Sequence, residues 1–367
     1  MEYRYTVEEK AILWLDSFDC LTYQQKSRIL SFVADAASLL SQFENYRELL
    51  LKILPEKDFE RLSKTLKDGN YINALLSNLD KKGIFFVTLR SGNYPAALLQ
   101  TPVPPVVLYC KGNENLLKGE HFSIVGARKT LSWAQALTKE FARKISKHFT
   151  LVTGLAEGGD ESALRGALSA KEEKVNIVSV LAYGFDYVYP AAHADLLQEV
   201  QKRGLIITEH RPDIKPQKYL FPTRNRIIAG LSRGVLIVSG GKRSGTSITA
   251  GYALDYGRDI FAFPYNPGIT SGAGCNALLK SGAYPVDCVE DIFLHYGLEV
   301  VEEKKLPPLT QEEERLLICL KEKGELHIEE IAKYSSVPAY LVNGLLSGLE
   351  VKGYVVRAGG NRYAPVR

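Results

Sequence analysis

Six short runs of β-branched and other apolar residues constrain the fold of this 367-residue chain more than any other feature. They are FSIV, TLVT, NIVSV, LIIT, GVLIV and DIFAF, all between positions 122 and 263. Amphipathic helical patterns separate them, and the runs start about 25 to 30 residues apart, which is the period of βαβ units. The pattern predicts an α/β fold with a buried, doubly wound and largely parallel sheet.

The pattern is different before this core. Residues 1–80 carry helical spacing, as in EEKAILWLDSF and NYRELLLKIL, and we expect a small helical module of the SAM or helix-hairpin-helix kind. Residues 81–121 include prolines at 102, 104 and 105, which exclude a helix there. This second segment is predicted to be an extended connector into a Rossmann-like core at 122–300.

A linker at 301–309 is predicted to lead into a winged-helix-like domain at 310–367. The order of three helical patterns and a final hairpin, YVVRAGGNRYAP, indicates that fold. Thr310 and Glu313 have the spacing of a capping box at the start of the first helix. The segment has eight Lys and Arg against eight Asp and Glu, and the helix at 338–350, which is predicted to be the recognition helix, has no basic residue. These charges argue against strong DNA binding and favour a protein-contact or regulatory role. Only Arg357 and Arg362 on the wing remain as phosphate contacts.

The composition is that of an ordinary globular protein. The net charge is +4 and the pI is near 8.6, which permits a polyanionic partner without requiring one. Five scattered cysteines without a C-x-x-C pair suggest neither a disulfide framework nor a thiolate metal site. We see no signal peptide and no apolar run long enough to span a bilayer, so we expect a cytoplasmic protein with no membrane contact.

Glycine-rich loops follow three of the predicted strands. They are GARKT at 126–130, GLAEGGDES at 154–162 and SGGKRSGTS at 239–247. Glycine permits close backbone approach, and a following helix offers free N–H groups to an anion. The loops therefore predict a phosphate site at the carboxyl edge of the sheet, or else three tight strand-to-helix turns. The backbone residues of the predicted phosphate loops are Gly126, Gly154, Gly158, Gly159, Gly240, Gly241 and Gly245.

A strip of one charge sign surrounds FPTRNRIIAGLS at 221–232. No acidic residue occurs between Asp213 and Asp255. We expect the basic residues in this strip to lie near the carboxyl edge of the sheet, beside Arg128 from the first loop. Cations interleaved with aromatic residues are typical of single-stranded nucleic-acid sites. The predicted DNA-binding residues are Arg128, Lys218, Phe221, Arg224, Arg226, Lys242 and Arg243. We expect the two arginines of FPTRNR on a loop entering a helix, where both face one strand of phosphates. In the alternative, Phe221 packs inward and the arginines cap carbonyls.

Known nucleotide and catalytic motifs do not fit this core. GARKTLS has one glycine where a dinucleotide fingerprint needs three, and Arg243 follows the lysine of GGKRSGT where a Walker loop needs Ser or Thr. The histidines occur in no nucleophile elbow and no H-E-x-x-H motif. We therefore predict no catalytic residue, no metal and no cofactor.

These segments resemble the DNA-processing protein A (DprA/Smf) family across the Rossmann-like core. The similar segments are GAR at 126–128, TGLAEGGD at 153–160, LAYGFDYVYP at 181–190, FPTRNRIIAGLS at 221–232, RSGTSITA at 243–250, GRDIFAFP at 257–264 and SGAGCNALLKSGA at 271–283. Ala127 departs from the family's serine, and Leu164 stands where a histidine is common. The resemblance implies a homodimer that binds and protects single-stranded DNA and loads the RecA recombinase in natural transformation, without catalysis.

One enzyme class stays as an alternative. Nucleoside-monophosphate phosphoribohydrolases of the lysine-decarboxylase-like Rossmann family carry a Gly-Gly-x-Gly-Thr loop, and GGKRSGT is superficially similar. That family places a glutamate just after Gly-Thr, whereas Ser247, Ile248 and Thr249 occupy the equivalent stretch here. The N-terminal helices remain open to a role with DNA or with a protein partner.

Overall fold

The computed structural model of the protein describes residues 4–299 and 309–365. The chain divides into two units, Met1–Gly297 and Leu298–Arg367. The predicted linker, apart from Leu309, lies outside the described residues, as does the last residue of the predicted core.

A nine-stranded sheet organises the first unit. Its strands are β1 (Phe85–Thr88), β2 (Val107–Gly112), β3 (His121–Val125), β4 (Thr150–Thr153), β5 (Ile177–Val180), β6 (Leu205–Thr208), β7 (Gly234–Ile237), β8 (Asp259–Ala262) and β9 (Tyr284–Pro285). The order across the sheet is β1-β2-β6-β5-β4-β3-β7-β8-β9. Pairs from β6 to β9 are parallel, and β2 is antiparallel to both β1 and β6. The predicted fold class is confirmed, and the six predicted runs form β3 to β8.

The direction of winding reverses beside β3. From β3 the chain moves through β4 and β5 to β6, and it then returns to place β7, β8 and β9 on the other side of β3. Val125 and Ile237, at the ends of β3 and β7, pair in register, so the two following loops leave the sheet at the same level. This reversal creates the crevice in which ligands of open α/β sheets bind.

Amphipathic helices cover the faces of the sheet because each buries one stripe against the strands. In the helix after β3, the buried residues Ala134, Thr138, Phe141, Ala142 and Ile145 recur at helical spacing on one side. The helices are α7 (Ala96–Leu99), α8 (Ser132–Ile145), α9 (Gly159–Leu168), α10 (Ala194–Arg203), α11 (Leu220–Leu231), α12 (Gly245–Asp255), α13 (Ala273–Lys280) and α14 (Glu290–His295).

The prediction of an extended connector at 81–121 is wrong for two segments, because β1 and β2 are strands of the sheet. The short helix α7 also lies in this segment, before the prolines, which exclude a helix only from 102 to 105. The chain becomes a buried strand directly after them. FFVT and VVLYC are β-branched and aromatic runs, and β2 hydrogen-bonds to β6 at the sheet's edge. The signal for a strand was therefore present beside the signal against a helix.

Six helices precede the sheet: α1 (Val7–Asp16), α2 (Tyr23–Phe32), α3 (Ala37–Ser41), α4 (Arg47–Leu50), α5 (Glu56–Lys67) and α6 (Tyr71–Lys81). They share one apolar core with the antiparallel edge, in which Trp14 and Phe59 cluster with Phe86 of β1 and Tyr109 of β2. These helices thus pack into the same unit as the sheet.

The second unit has its own apolar core and a winged-helix order of elements. They are α15 (Gln311–Lys323), β10 (Leu326–His327), α16 (Ile328–Ser335), α17 (Ala339–Val351), β11 (Val355–Arg357) and β12 (Arg362–Pro365). The capping box of Thr310 and Glu313 is confirmed. Within the two described ranges, every helix is too short or too polar to cross a bilayer.

Candidate nucleic-acid interface

A cavity of about 370 Å³ opens at the reversal of the sheet. It lies beyond the carboxyl ends of β3 and β7, at the place where the winding order predicts a ligand. Its walls come from the loops after β3, β4 and β7 and from the first turns of α11 and α12. The lining includes Gly126, Ala127, Arg128, Ala156, Asp160, Phe221, Arg224, Asn225, Ser244, Gly245 and Thr246.

Several of the predicted phosphate-loop glycines instead allow the loops to pack against each other. A Cβ on Gly126 would lie 2.6 Å from the Cα of Gly159, and one on Gly159 would lie 2.3 Å from the Cα of Gly126. Gly158 has a φ of +82°, and a Cβ there would meet the Ala127 carbonyl oxygen at 2.4 Å. A Cβ on Gly240 would likewise be too close to the Thr246 hydroxyl oxygen, at 2.0 Å. The backbones of these loops are held in direct contact, which fixes the floor of the cavity.

Two of the predicted glycines face open space. A Cβ on Gly245 would meet nothing within 4 Å, and one on Gly241 would only touch the Thr270 carbonyl oxygen at 4.0 Å. Gly245 begins α12 and lines the cavity, and the side chains of Ser244 and Ser247 cap that helix reciprocally. The positive end of the α12 dipole therefore points toward this part of the cleft.

The expectation that Arg224 lies on a loop is wrong. Arg224 lies inside α11 and is 5% exposed. Its Nη1 donates to the Val180 carbonyl, so the guanidinium caps the end of β5. A loop was expected because residues two apart cannot share one face of a helix. The helix instead begins at Leu220, and Pro222 is tolerated in its first turn, where N–H groups have no intrahelical acceptor.

A buried carboxylate accompanies Arg224. A Cβ on Gly154 would lie 2.4 Å from both Arg224 Nη1 and Asp160 Oδ2, so this glycine makes room for the two groups. Asp160 accepts from the backbone N–H of Gly126 at 3.2 Å. Burial raises the pKa of Asp160, although Arg224 and nearby N–H groups oppose the rise, and burial lowers the pKa of Arg224. The two residues tie together the loops after β3, β4 and β5.

Arg226 points away from Arg224 and forms an ion pair with Glu209, the residue after β6. Both side chains are largely buried. Residues two apart on a helix project on opposite sides, so the proposed convergence of Arg224 and Arg226 on one backbone is also wrong. In the described chain, Arg224 Nε and Arg226 Nη1 are buried without a hydrogen-bond acceptor. The local sequence did not reveal the acidic partners, because Asp160 and Glu209 follow other strands and are distant from the two arginines in the chain.

The other predicted cations are exposed. Arg128 lines the cavity, Lys218 precedes α11, and Lys242 and Arg243 occupy the loop after β7. Among residues 4–299, no carboxylate or carbonyl pairs with any of these four side chains. The loop that carries Arg128 is fixed to the loop after β7, because Ala127 N donates to Ser239 Oγ at 2.9 Å. Arg128 thus brings an unpaired positive charge to the cavity, and the other three lie on the segments that lead into α11 and α12, whose first turns line it.

Phe221 is half-buried at the rim and does not pack into the core. Its ring meets that of Tyr189 with centroids 5.4 Å apart, and the two rings line a second cavity of about 40 Å³. Both cavities share Arg128, Ala156, Phe221 and Arg224. Tyr189 was absent from the predicted site, although it lies in LAYGFDYVYP, a segment that the resemblance had singled out.

Other ligands have weaker support. Asp287, Cys288 and Asp291 bring ligand atoms within 4.8 Å of one another, but the aspartate and thiol of the first two are exposed, and such groups are common without a metal. Ser247, Ile248 and Thr249 lie in α12, at the stretch where the phosphoribohydrolases carry a glutamate. The chemistry that the cleft offers is therefore anion binding beside an aromatic surface.

The doubly wound fold and this open edge with exposed cations define a Rossmann-like protein whose cleft has the chemistry to accept an anion. The chain belongs to the DNA recombination-mediator protein A family, whose model matches residues 85–297. The match starts at β1, the first strand of the sheet. The resemblance to the DprA/Smf family is confirmed, and with it a role in DNA processing.

Similar proteins come from several bacteria. DNA processing protein DprA of Bacillus subtilis is 37% identical over 224 residues, which cover 60% of this chain and 73% of that protein. Protein Smf of Escherichia coli is 34% identical over 233 residues, which cover 62% of this chain and 61% of that protein.

Two solved structures share the fold. The X-ray structure of DprA from Streptococcus pneumoniae has a TM-score of 0.61 at 28% identity and covers 81% of this chain and 99% of that one. DprA from Helicobacter pylori, described for its unique single-stranded DNA binding mode, has a TM-score of 0.52 at 27% identity. It covers 58% of this chain and 97% of that one.

Proposed function

We propose that this protein binds single-stranded DNA across the cleft at the reversal of the sheet, protects it, and loads the RecA recombinase onto it in natural transformation. The observation that carries the proposal is the set of four exposed cations without internal partners, Arg128, Lys218, Lys242 and Arg243, around a cavity with an aromatic rim. The single-stranded DNA binding described for the Helicobacter pylori relative supports it.

Each cation has a separate role in the proposed complex. Arg128 contacts a phosphate from the loop after β3, while Lys242 and Arg243 contact the backbone from the loop after β7. The N–H groups at Gly241 and Gly245 and the α12 dipole add to the attraction. Phosphate contacts of this kind position a strand without reading its sequence, so binding has little sequence specificity.

The aromatic rim gives the preference for single strands. Phe221 and Tyr189 offer ring faces to an unpaired base, whereas the bases of a blunt duplex are stacked on each other and unavailable. Arg224 and Arg226 support this site from within the fold, because their guanidinium groups already bind a carbonyl and a carboxylate.

The partners that we propose, RecA and a second copy of this chain, are those that the resemblance to the family implies. A role beside RecA places the protein in the cytoplasm. We propose an isologous homodimer through the segment 278–298, where Leu294 and Tyr284 expose apolar surface. Sedimentation as a monomer at all micromolar concentrations would contradict the proposed dimer. The RecA role requires that the protein let RecA displace a single-strand binding protein from DNA. We propose no catalysis, and release of adenine from AMP would contradict that.

A salt titration of oligonucleotide binding tests the proposal. Phe221→Ala should cost roughly 1 to 3 kcal/mol of binding free energy and leave the salt slope unchanged, because it removes stacking and no charge. Tyr340→Ala, which removes an aromatic ring that is 83% exposed in the second unit, is the control and should bind as the parent does. If the parent binds duplex and single strands equally, or if Phe221→Ala binds unchanged, the cleft is not the DNA site.

A further inference from the structure

Trp133 lies beside the proposed DNA site and has no part in the cavity. It is the second residue of α8 and is 46% exposed, which is unusual for so large an apolar side chain. Its inner surface contacts Tyr265, with ring centroids 4.9 Å apart, and Phe263, at 6.3 Å. The two rings are buried, and Tyr265 is anchored by its hydroxyl group, which donates to the Val238 carbonyl at 2.7 Å. The indole is therefore held from below while its outer surface faces solvent.

The loop before Trp133 is also fixed in place. Thr130 Oγ1 donates to the Ala127 carbonyl at 2.7 Å and lies 2.6 Å from Ser239 Oγ, on the loop after β7. Gln135 Nε2 donates to the Thr130 carbonyl at 2.9 Å. The same short loop carries Arg128 and Lys129, both exposed. An aromatic surface and two cations are thus presented by one rigid segment.

Three segments around Trp133 and the cleft carry no negative charge, although the loop after β4 contributes Glu157 and the buried Asp160. Asp and Glu are absent from residues 121–139, which carry the indole, and from 214–254 and 260–286, which surround the cleft and supply Tyr265. A surface built for a basic or neutral protein partner has no need of this bias. An aromatic face among uncompensated cations instead matches single-stranded nucleic acid.

Trp133 and Phe221 lie at different strands of the sheet. Phe221 packs near the end of β5 with Tyr189, whereas Trp133 packs on residues that follow β8. Four strand spacings separate β5 from β8 in the order β5-β4-β3-β7-β8, which is roughly 20 Å. The loops with Arg128 and Lys242 come from β3 and β7, between these two positions.

We infer that Trp133 is a second base-stacking position of the DNA site, which a single strand reaches after it leaves the cavity at Phe221 and crosses the loops that carry Arg128 and Lys242. The inference rests on the proposed function and extends it. The strand makes phosphate contacts in the middle of the path and stacking contacts at both ends. An oligonucleotide too short to span the two rings occupies only one of them.

Intrinsic fluorescence tests this inference without any mutation. The chain has two tryptophans, and Trp14 is fully buried, with its Nε1 bonded to Thr65 Oγ1 at 2.9 Å, so it gives a constant background. Oligothymidylate of about 15 nucleotides should quench Trp133 and protect it from acrylamide, whereas about three nucleotides should not. Absence of quenching at saturation by the long oligonucleotide overturns the inference.

Variants give the second measurement. Trp133→Ala should weaken binding of the long oligonucleotide roughly 5- to 100-fold with an unchanged salt slope, and Trp133→Phe should restore binding but not the fluorescence signal. Leu131→Ala removes a neighbouring exposed apolar side chain and is the matched control with unchanged affinity. If Arg128→Ala and Phe221→Ala lose affinity and Trp133→Ala does not, the second stacking position is wrong while the proposed function stands. If all three bind as the parent does, the proposed function itself fails.

Discussion

The cleft of the first unit and the wing of the second unit use their arginines in opposite ways. Around the cleft, Arg128 and Arg243 are exposed and have no internal partner within residues 4–299. On the wing, Arg357 donates to Asn361 Oδ1 at 2.7 Å, and Arg362 donates to Glu325 Oε1 at 2.8 Å and lies 3.9 Å from Glu330. Both regions therefore carry cations, but only the cleft leaves them available.

This difference separates a charge that binds a ligand from one that holds the protein together. A cation without a partner meets a phosphate and gains the release of counterions. A paired cation must first break its contact with the protein, so its gain is smaller. The helix α17, which would enter a DNA groove in a typical winged helix, adds no basic residue to the wing. The partners of a cation, more than the number of cations, therefore distinguish the proposed DNA site from the wing.

The largest expected effect is that of replacing Arg224, and it tests whether this arginine, like those of the wing, stabilises the protein through a partner within the fold. Arg224→Ala should lower the free energy of unfolding of the first unit by about 3 to 5 kcal/mol at neutral pH, because it leaves the Asp160 carboxylate buried without its cation. The pKa of Asp160 is already raised, and the variant raises it further. The loss should therefore be small below the ordinary pKa of aspartate, about 3.9, and should grow as the pH rises through the raised value. Denaturant unfolding at several pH values measures this.

Two outcomes of that experiment have clear meanings. Arg224→Ala combined with Asp160→Asn should recover part of the lost stability, because no buried charge remains. If the Arg224→Ala protein unfolds like the parent but binds oligonucleotides with a lower salt slope, Arg224 contacts a phosphate and is not a structural residue.

The fate of these arginines shows where sequence reasoning ends. The one-signed strip indicated exposed cations on the loops at the carboxyl edge, because the alternation of strands and helices shows at which end of a parallel strand each loop lies. It did not show that Asp160 and Glu209 come from distant strand ends to meet Arg224 and Arg226. Pairing across a fold depends on the packing of loops, and a local pattern contains no information on that.

The sheet gives the same lesson in another form. β3 to β8 were predictable because each is an apolar run followed by a helix, and β3 to β7 are buried along their whole length. β1 and β2 were not, because prolines lie between them and no helical period separates them. Their place at the antiparallel edge follows from hydrogen bonds between β2 and β6, which are almost a hundred residues apart.

A smaller effect is expected for the buried pair of the second unit. Glu313 accepts from Lys352 Nζ at 2.6 Å and from Thr310 N at 2.8 Å. Burial raises the pKa of Glu313, but the Lys352 ammonium and the Thr310 groups together lower it by more than burial raises it. The pKa of Glu313 therefore lies below its usual range. Glu313→Gln should therefore destabilise this unit by about 1.5 to 3 kcal/mol at neutral pH.

In the parent protein, Glu313 adds stability as the pH rises, whereas the raised pKa of Asp160 makes stability fall as the pH rises. The loss in Glu313→Gln should therefore grow with rising pH, as does the loss in Arg224→Ala. A depressed pKa contributes stability above the ordinary glutamate pKa, and this stability is lost as the pH falls through the depressed value. Amide exchange in α15 and α17 measures the effect in the full chain. The exposed neighbour Glu314→Gln is the control, and equal exchange in both variants would show that the pair contributes nothing.

The next prediction compares the two classes of arginine directly. Arg128→Ala should reduce the slope of log affinity against log salt by about 0.7, the value for one phosphate contact on a single strand. Arg362→Ala should leave that slope unchanged, because its guanidinium is bound to Glu325. Oligonucleotide binding at several salt concentrations gives both slopes. A lower slope for Arg362→Ala would show that the ion pair on the wing opens in the complex.

The smallest expected effect is that of removing the second unit altogether. Residues 310–367 have no net charge, and the two wing arginines have partners within the unit, so the wing brings no free phosphate contact. Counterion release supplies most of the non-specific affinity of a DNA-binding protein, and a neutral segment releases few ions. Deletion of 310–367 should therefore change the affinity for single-stranded oligonucleotides by less than about tenfold, with the same salt slope. A loss of about 100-fold with a lower slope would place phosphate contacts on the second unit and end the contrast between cleft and wing. A similar loss without a change of slope would instead indicate stacking on exposed rings such as Tyr340.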